Sequence, residues 1–141
     1  MTHPDTEYLY EVGDNININL INAVGAVKLY DVKRWLDAGA DPNYELGVMS
    51  VDPPYRPRTA MNVLVSIVVS GTHSYNQVKI CKKIAKLLID YGADRKEAIS
   101  FAEERYGYYM DMKVGYTRQY LMYKVLEVIY TYGINIKKAI N

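Results

Sequence analysis

The residues able to do covalent or metal chemistry are few. Cysteine occurs once, as Cys81, and histidine twice, as His3 and His73. A lone cysteine forms no internal disulfide and no multi-cysteine metal site, and two isolated histidines fall short of a zinc ligand set. Cys81 is followed at i+3, i+4 and i+7 by Ile84, Ala85 and Leu88, the spacing of a buried helical face, so it reads as a small core residue. His73 sits in a Gly-Thr-His-Ser stretch and reads as a solvated loop residue. Asn15, Asn17 and Asn19 alternate like the oxygen ligands of a calcium loop. Leu20 and Ala26, however, stand where that loop needs its glycine and its bidentate acid. Cap and turn residues ahead of a helix are the better account of the three. The glycine-rich phosphate loops, the His-Glu-x-x-His helix and the Gly-x-Ser-x-Gly elbow do not occur. No catalytic residue, metal ligand or cofactor is expected, and the chain is not expected to be an enzyme.

Two segments carry residue types suited to binding. The first is Asp-Pro-Pro-Tyr-Arg-Pro-Arg, residues 52–58. Its prolines pre-set an extended backbone and exclude a helix interior. It would present Tyr55, Arg56 and Arg58, types enriched at binding hot spots, or serve only as an exposed linker. Pro54 and Pro57 also give a P-x-x-P, but the flanking arginines are out of register for an SH3 ligand. The second segment, residues 106–116, holds Tyr106, Tyr108, Tyr109 and Tyr116 with Met110, Met112 and two glycines. Tyrosine gives large rigid contact area at low entropic cost, and methionine adds adaptable apolar contact. The alternative is that these rings fold back and cap the end of the molecule.

The elements that must position these segments repeat. Gly39-Ala40-Asp41 recurs as Gly92-Ala93-Asp94 and, degraded, as Gly133-Ile134-Asn135. Each copy follows an amphipathic segment: VKRWLDA (32–38), IAKLLIDY (84–91) and VLEVIYTY (125–132). A glycine just past a helix is expected because the chain turns left-handed there. A further helical stretch lies upstream of each, over 17–28, 59–70 and 96–106. The unit is helix, turn, helix, Gly-Ala-Asp, loop.

The run from Leu20 to Asn43 resembles an ankyrin repeat, in register and without a gap. Leu20 and Ala23 match the L-x-x-A of the family's first helix, Val32, Trp35 and Leu36 the apolar face of its second, and Gly39 to Asn43 its G-A-D-x-N. The second unit resembles the family through TAMNVL (59–64) in place of T-P-L-H-x-A, and through LLIDYGAD (87–94). The third does so through Ala98, Ile99, Ala102 and Tyr132-Gly133. The resemblance spans residues 17–139. It implies an all-α, ankyrin-repeat-like helix-turn-helix solenoid in a single domain, 1–141. Its units cover about 15–43, 59–94 and 96–133, with end pieces 1–14 and 134–141.

The departures from the family are specific. Ankyrin units repeat at about 33 residues, whereas the three glycines stand 53 and 41 residues apart. Extra chain is expected at 44–58, 71–77 and 107–116, and insertions in solenoids map to loops where binding is specialised. Asn62 stands where the family has histidine, so the hydrogen bond that closes the turn must be rebuilt by Thr59 and an amide.

The formal net charge of +1 argues against a polyanion binder. It conceals an uneven distribution. Residues 1–52 hold nine acids and three bases, a net of −6, and residues 53–141 hold 14 bases and seven acids, a net of +7. Along a solenoid this is an end-to-end dipole that would steer an oppositely polarised partner. Lys79, Lys82, Lys83 and Lys86 can equally be the solvated back of one helix. The first 14 residues lack a basic stretch followed by an apolar one, so no secretory leader is expected. The most apolar stretch, 63–69, is far short of the roughly 20 residues that span a bilayer. A cytoplasmic monomer with no membrane contact is expected.

By the resemblance, the fingers and first helices form a concave binding face. The expected partner-binding residues are Tyr44, Tyr55, Arg56, Arg58, Asn62, Tyr106, Tyr108, Tyr109 and Tyr116. The expected function is protein–protein recognition without catalysis, first as an immunity- or inhibitor-type binder of a cognate toxin or effector with a complementary charge pattern. A viral or intracellular-bacterial protein engaging a host factor is the alternative setting. A nucleic-acid-binding module using the basic, Tyr-rich C-terminal part is the competing class; its rings would stack on bases.

Overall fold

The computed structural model describes the backbone of residues 13–47, 57–70, 75–111 and 116–133, and the side chains of 13–47, 57–68, 75–104 and 124–133. These residues form six helices: α1 (Ile16–Gly25), α2 (Leu29–Asp37), α3 (Ala60–Ser70), α4 (Tyr75–Asp90), α5 (Arg95–Asp111) and α6 (Tyr116–Thr131). Among the described residues there is no strand. The helices pack in pairs, α1 with α2, α3 with α4 and α5 with α6. Odd helices also pack on odd, α1 on α3 and α3 on α5, and even on even, α2 on α4 and α4 on α6.

The apolar stripes meet in one continuous core. Leu20 and Val24 of α1, Val32 and Leu36 of α2, Leu64 and Val65 of α3, Ile84 and Leu88 of α4, and Val125 and Ile129 of α6 are buried. α5 contributes Ala98 and Ala102, small residues that let it lie close against its neighbours. Cys81 belongs to the same core, at 1% exposure, as its helical spacing indicates.

Three helices end in the same way. Past α2, Gly39 N–H donates to Leu36 O and Ala40 N–H to Trp35 O, both at 3.0 Å. Past α4, Gly92 donates to Ile89 O at 3.0 Å and Ala93 to Leu88 O at 2.9 Å. These are Schellman turns, which need a left-handed residue, and both glycines have φ +98°. Past α1 the same pair of bonds runs from Val27 to Val24 and from Lys28 to Ala23. Here the left-handed residue is Val27, φ +57°. A β-branched residue resists that conformation; burial of its side chain, 9% exposed, opposes the strain.

Helix extents differ from the expected ones at three places. α1 stops at Gly25, not residue 28, because the Val27 turn ends it. α4 begins at Tyr75, so residues 75–77 of the expected insertion are helical, and Val78 extends the buried stripe of Cys81, Ala85 and Leu88. α5 runs through Gly107 to Asp111 and α6 opens at Tyr116, so the loop expected over 107–116 is reduced to the stretch between those two helices. Without a proline, one internal glycine costs a helix only about 1 kcal/mol, too little to end it. Tyr106, Tyr108 and Tyr109 thus lie on a helix and not on a finger loop.

Candidate functional site

Asn15, Asn17 and Asn19 each bond backbone groups around the start of α1. The Asn15 carboxamide accepts from the N–H groups of Asn17 (2.9 Å) and Ile18 (3.3 Å) and caps α1. Asn17 Oδ1 accepts from Asp41 N–H at 2.7 Å, tying the start of α1 to the turn after α2. Asn19 is buried and closes both ways on Gly13, donating to its carbonyl at 2.8 Å and accepting from its N–H at 2.9 Å. The cap reading holds for Asn15.

The two Gly-Ala-Asp turns are joined to each other. The Asn43 amide donates to Gly92 O at 2.9 Å, and its Oδ1 accepts from Asp94 N–H at 2.6 Å. Asp41 Oδ1 holds Asn43 in place by accepting its N–H at 2.8 Å. Asp94 in turn caps α5, its Oδ1 accepting from Lys96 and Glu97 N–H at 2.9 and 3.4 Å. The chain leaving the first turn is closed at its base, where Leu46 N–H donates to Arg58 O at 2.9 Å. Leu46 and Arg58, toward the two ends of the expected insertion, are thus joined to each other.

Of the nine expected contact residues, three have described side chains. Tyr44 is half-buried and packs against the core. Arg58 is half-buried. Asn62 is 5% exposed, and its amide donates to Glu97 Oε1 at 3.3 Å, linking α3 to α5. Thr59 closes the turn on an amide, but that of the backbone: its hydroxyl accepts from the N–H of Asn62 at 3.2 Å, as helix caps do. Tyr55 and Arg56 lie outside the described residues, as do His3 and His73. Tyr106, Tyr108 and Tyr109 are on α5 and Tyr116 is the first residue of α6; their side chains are outside the description.

A polar network crosses from α2 to the end of α4. Lys33 Nζ donates to both Asp37 carboxylate oxygens at 2.7 and 2.6 Å and to the Tyr91 hydroxyl at 3.0 Å. The Tyr91 hydroxyl donates to Asp37. These bonds, to Asp37 first and Tyr91 second, raise the pKa of Lys33; the bonds from Lys33 and then Tyr91 lower that of Asp37. Beside it, Tyr132 donates to Asp90 Oδ2 at 3.1 Å, and that bond raises the phenol pKa. Burial pushes the Cys81 thiol up to about 11. Such a thiol is protonated at neutral pH and is a poor nucleophile. Among the described residues no group of three or more His, Cys, Asp or Glu is placed to hold a metal, and no helix is long and apolar enough to cross a membrane.

Between α2 and α4 lies an open groove of about 430 Å³, with Leu29, Tyr30, Lys33, Lys83, Lys86, Leu87 and Asp90 around it. No single stretch of sequence reveals the groove, because it joins Leu29 and Tyr30 of α2 to Leu87 of α4. Tyr30, on α2 beside it, is a large ring left 69% exposed.

No family model, curated protein or solved structure matches the chain.

Proposed function

We propose that the chain is a stack of three ankyrin-like helix pairs that binds another protein and does no chemistry of its own. One observation carries the reading. The turns after α2 and α4 have the same backbone, with glycine at φ +98° in each, and the first is hydrogen-bonded to the second through Asn43. Identical turns in direct register are how a repeat array builds a continuous core from units that cannot fold alone. Such arrays serve as rigid surfaces. The chain entering and leaving the expected insertion is joined by the Leu46–Arg58 bond, and that insertion would be a local elaboration where a partner is recognised.

Within this class the reading is an inhibitor- or immunity-type binder of a cognate toxin or effector. The support is the sequence polarity, −6 followed by +7, which suits a single partner of complementary charge. The test is inhibition. A protein captured by the chain should lose its activity, or its toxicity to a cell, when the chain is supplied in equal amount. A captured protein whose activity is untouched contradicts the inhibitor assignment and favours engagement of a host factor.

A further inference from the structure

We propose that the groove between α2 and α4 is a docking site for an acidic peptide segment that carries a bulky apolar side chain. This rests on the reading of the chain as a protein-binding module and places one contact on the second-helix side of the stack, away from the loops. Leu29 and Leu87 supply an aliphatic floor, and the largely exposed ring of Tyr30 stands beside them. An exposed aromatic next to apolar side chains, within a polar rim, is the make-up of an interface anchor pocket. The space, about 430 Å³, suits one or two side chains of a segment rather than the face of a domain.

The charges around the floor select the sign of the occupant. Lys33, Lys83 and Lys86 line the groove against a single acid, Asp90. Lys33 is already matched by Asp37, and Asp90 accepts the Tyr132 hydroxyl. Lys86 lies 5.8 Å from the centre of the Tyr132 ring. Among the described residues no carboxylate pairs with Lys83 or Lys86. Two ammonium groups that have no carboxylate partner among the described residues, flanking an apolar floor, fit carboxylates next to a leucine or phenylalanine. The acid of Asp90 at the end of α4 disfavours carboxylates there, so the acidic run must lie toward Lys83.

The experiment is an NMR titration of the full chain with a short peptide carrying one Phe and one Leu beside a run of Glu and Asp. A control peptide carries Gln and Asn in place of the acids. Shifts centred on Leu29, Tyr30, Lys83 and Leu87 are expected. Binding should weaken roughly tenfold or more for the control peptide and for the Lys83→Glu/Lys86→Glu variant, the scale of a lost charge pair. Tyr30→Ala, an exposed change that leaves the core intact, should weaken binding with the fold preserved by thermal melting. Shifts centred elsewhere, no shifts, or equal binding by the charge-reversed variant overturn the proposal. So does binding to phosphatidylserine vesicles at these residues without binding to the peptide. If the charge-reversed variant still captures the native partner with unchanged affinity, the groove is not its site, yet the binding-module reading stands. If neither form captures any protein, that reading itself fails.

Discussion

Asn43 and Asp94 are 51 residues apart in the chain, and the backbone N–H of Asp94 donates to Oδ1 of Asn43 at 2.6 Å. The same carboxamide donates to Gly92 O, so one side chain fixes the second Gly-Ala-Asp turn against the first. Asp94 then caps α5. A single asparagine thus ties the turn after α2 to the turn after α4 and to the residue that caps α5.

Asn43→Ala removes both bonds. Each is worth about 0.5–1.5 kcal/mol net, so the variant should lose roughly 1–3 kcal/mol, read as a lower urea midpoint at unchanged slope. Asn43→Asp keeps the acceptor for Asp94 but sets a carboxylate oxygen against Gly92 O, beside Asp41 and Asp94, so at neutral pH its loss should be at least as large and should shrink in acid.

Gly39→Ala and Gly92→Ala isolate the cost of backbone conformation. An added Cβ at either position meets nothing within 4 Å, so packing does not change. Only the left-handed conformation is penalised, by about 1–2 kcal/mol at each site. Chemical denaturation should give similar losses for the two. A neutral result at either position contradicts the shared-turn geometry.

How much of this is legible in the sequence depends on how local each cause is. The turns at Gly39 and Gly92 are written in one residue type, and the cap at Asn15 in the residues that follow it. Val27 was not legible as a turn, because a β-branched residue adopts φ +57° only where tertiary burial holds it. The end of α5 is not legible, because Gly107 looks like a helix end locally and its small penalty is overridden by the surrounding helix. Asn62 was legible as a substitution in a motif. Its partner Glu97 was not, since that contact exists only once α3 lies beside α5. The groove combines Leu29 of α2 with Leu87 of α4, which no local pattern reveals.

The Lys33–Asp37–Tyr91 network gives a pH signature with a definite sign. Asp37 has a lowered pKa, so its contribution is fully present above the ordinary carboxylate value of about 3.9 and is lost as pH falls through the lower folded value. Lys33 has a raised pKa, so its contribution is fully present below about 10.4 and is lost as pH rises through the higher folded value. The difference in urea midpoint between the parent chain and Asp37→Asn should therefore exist at neutral pH and close in acid below that carboxylate value. High salt should shrink it, because the groups are exposed. A difference that persists unchanged in acid contradicts the network.

Cys81 should be inert in the native chain. With its thiol at 1% exposure and its pKa pushed up to about 11, reaction with an aromatic disulfide reagent at pH 8 should proceed only through opening of the core. The labelling rate should rise with urea in step with unfolding. Rapid stoichiometric labelling in buffer would contradict the burial.

The most direct test of the protein-binding account is affinity capture with the full chain from its native cells, across a series of salt concentrations. One dominant protein partner is expected at near-equal stoichiometry, with association that slows as salt rises. Protein binding is contradicted if no protein is retained at any salt. It is contradicted also if single-stranded nucleic acid is retained instead, bound more tightly than the nonspecific range of about 10⁻⁴ to 10⁻⁶ M.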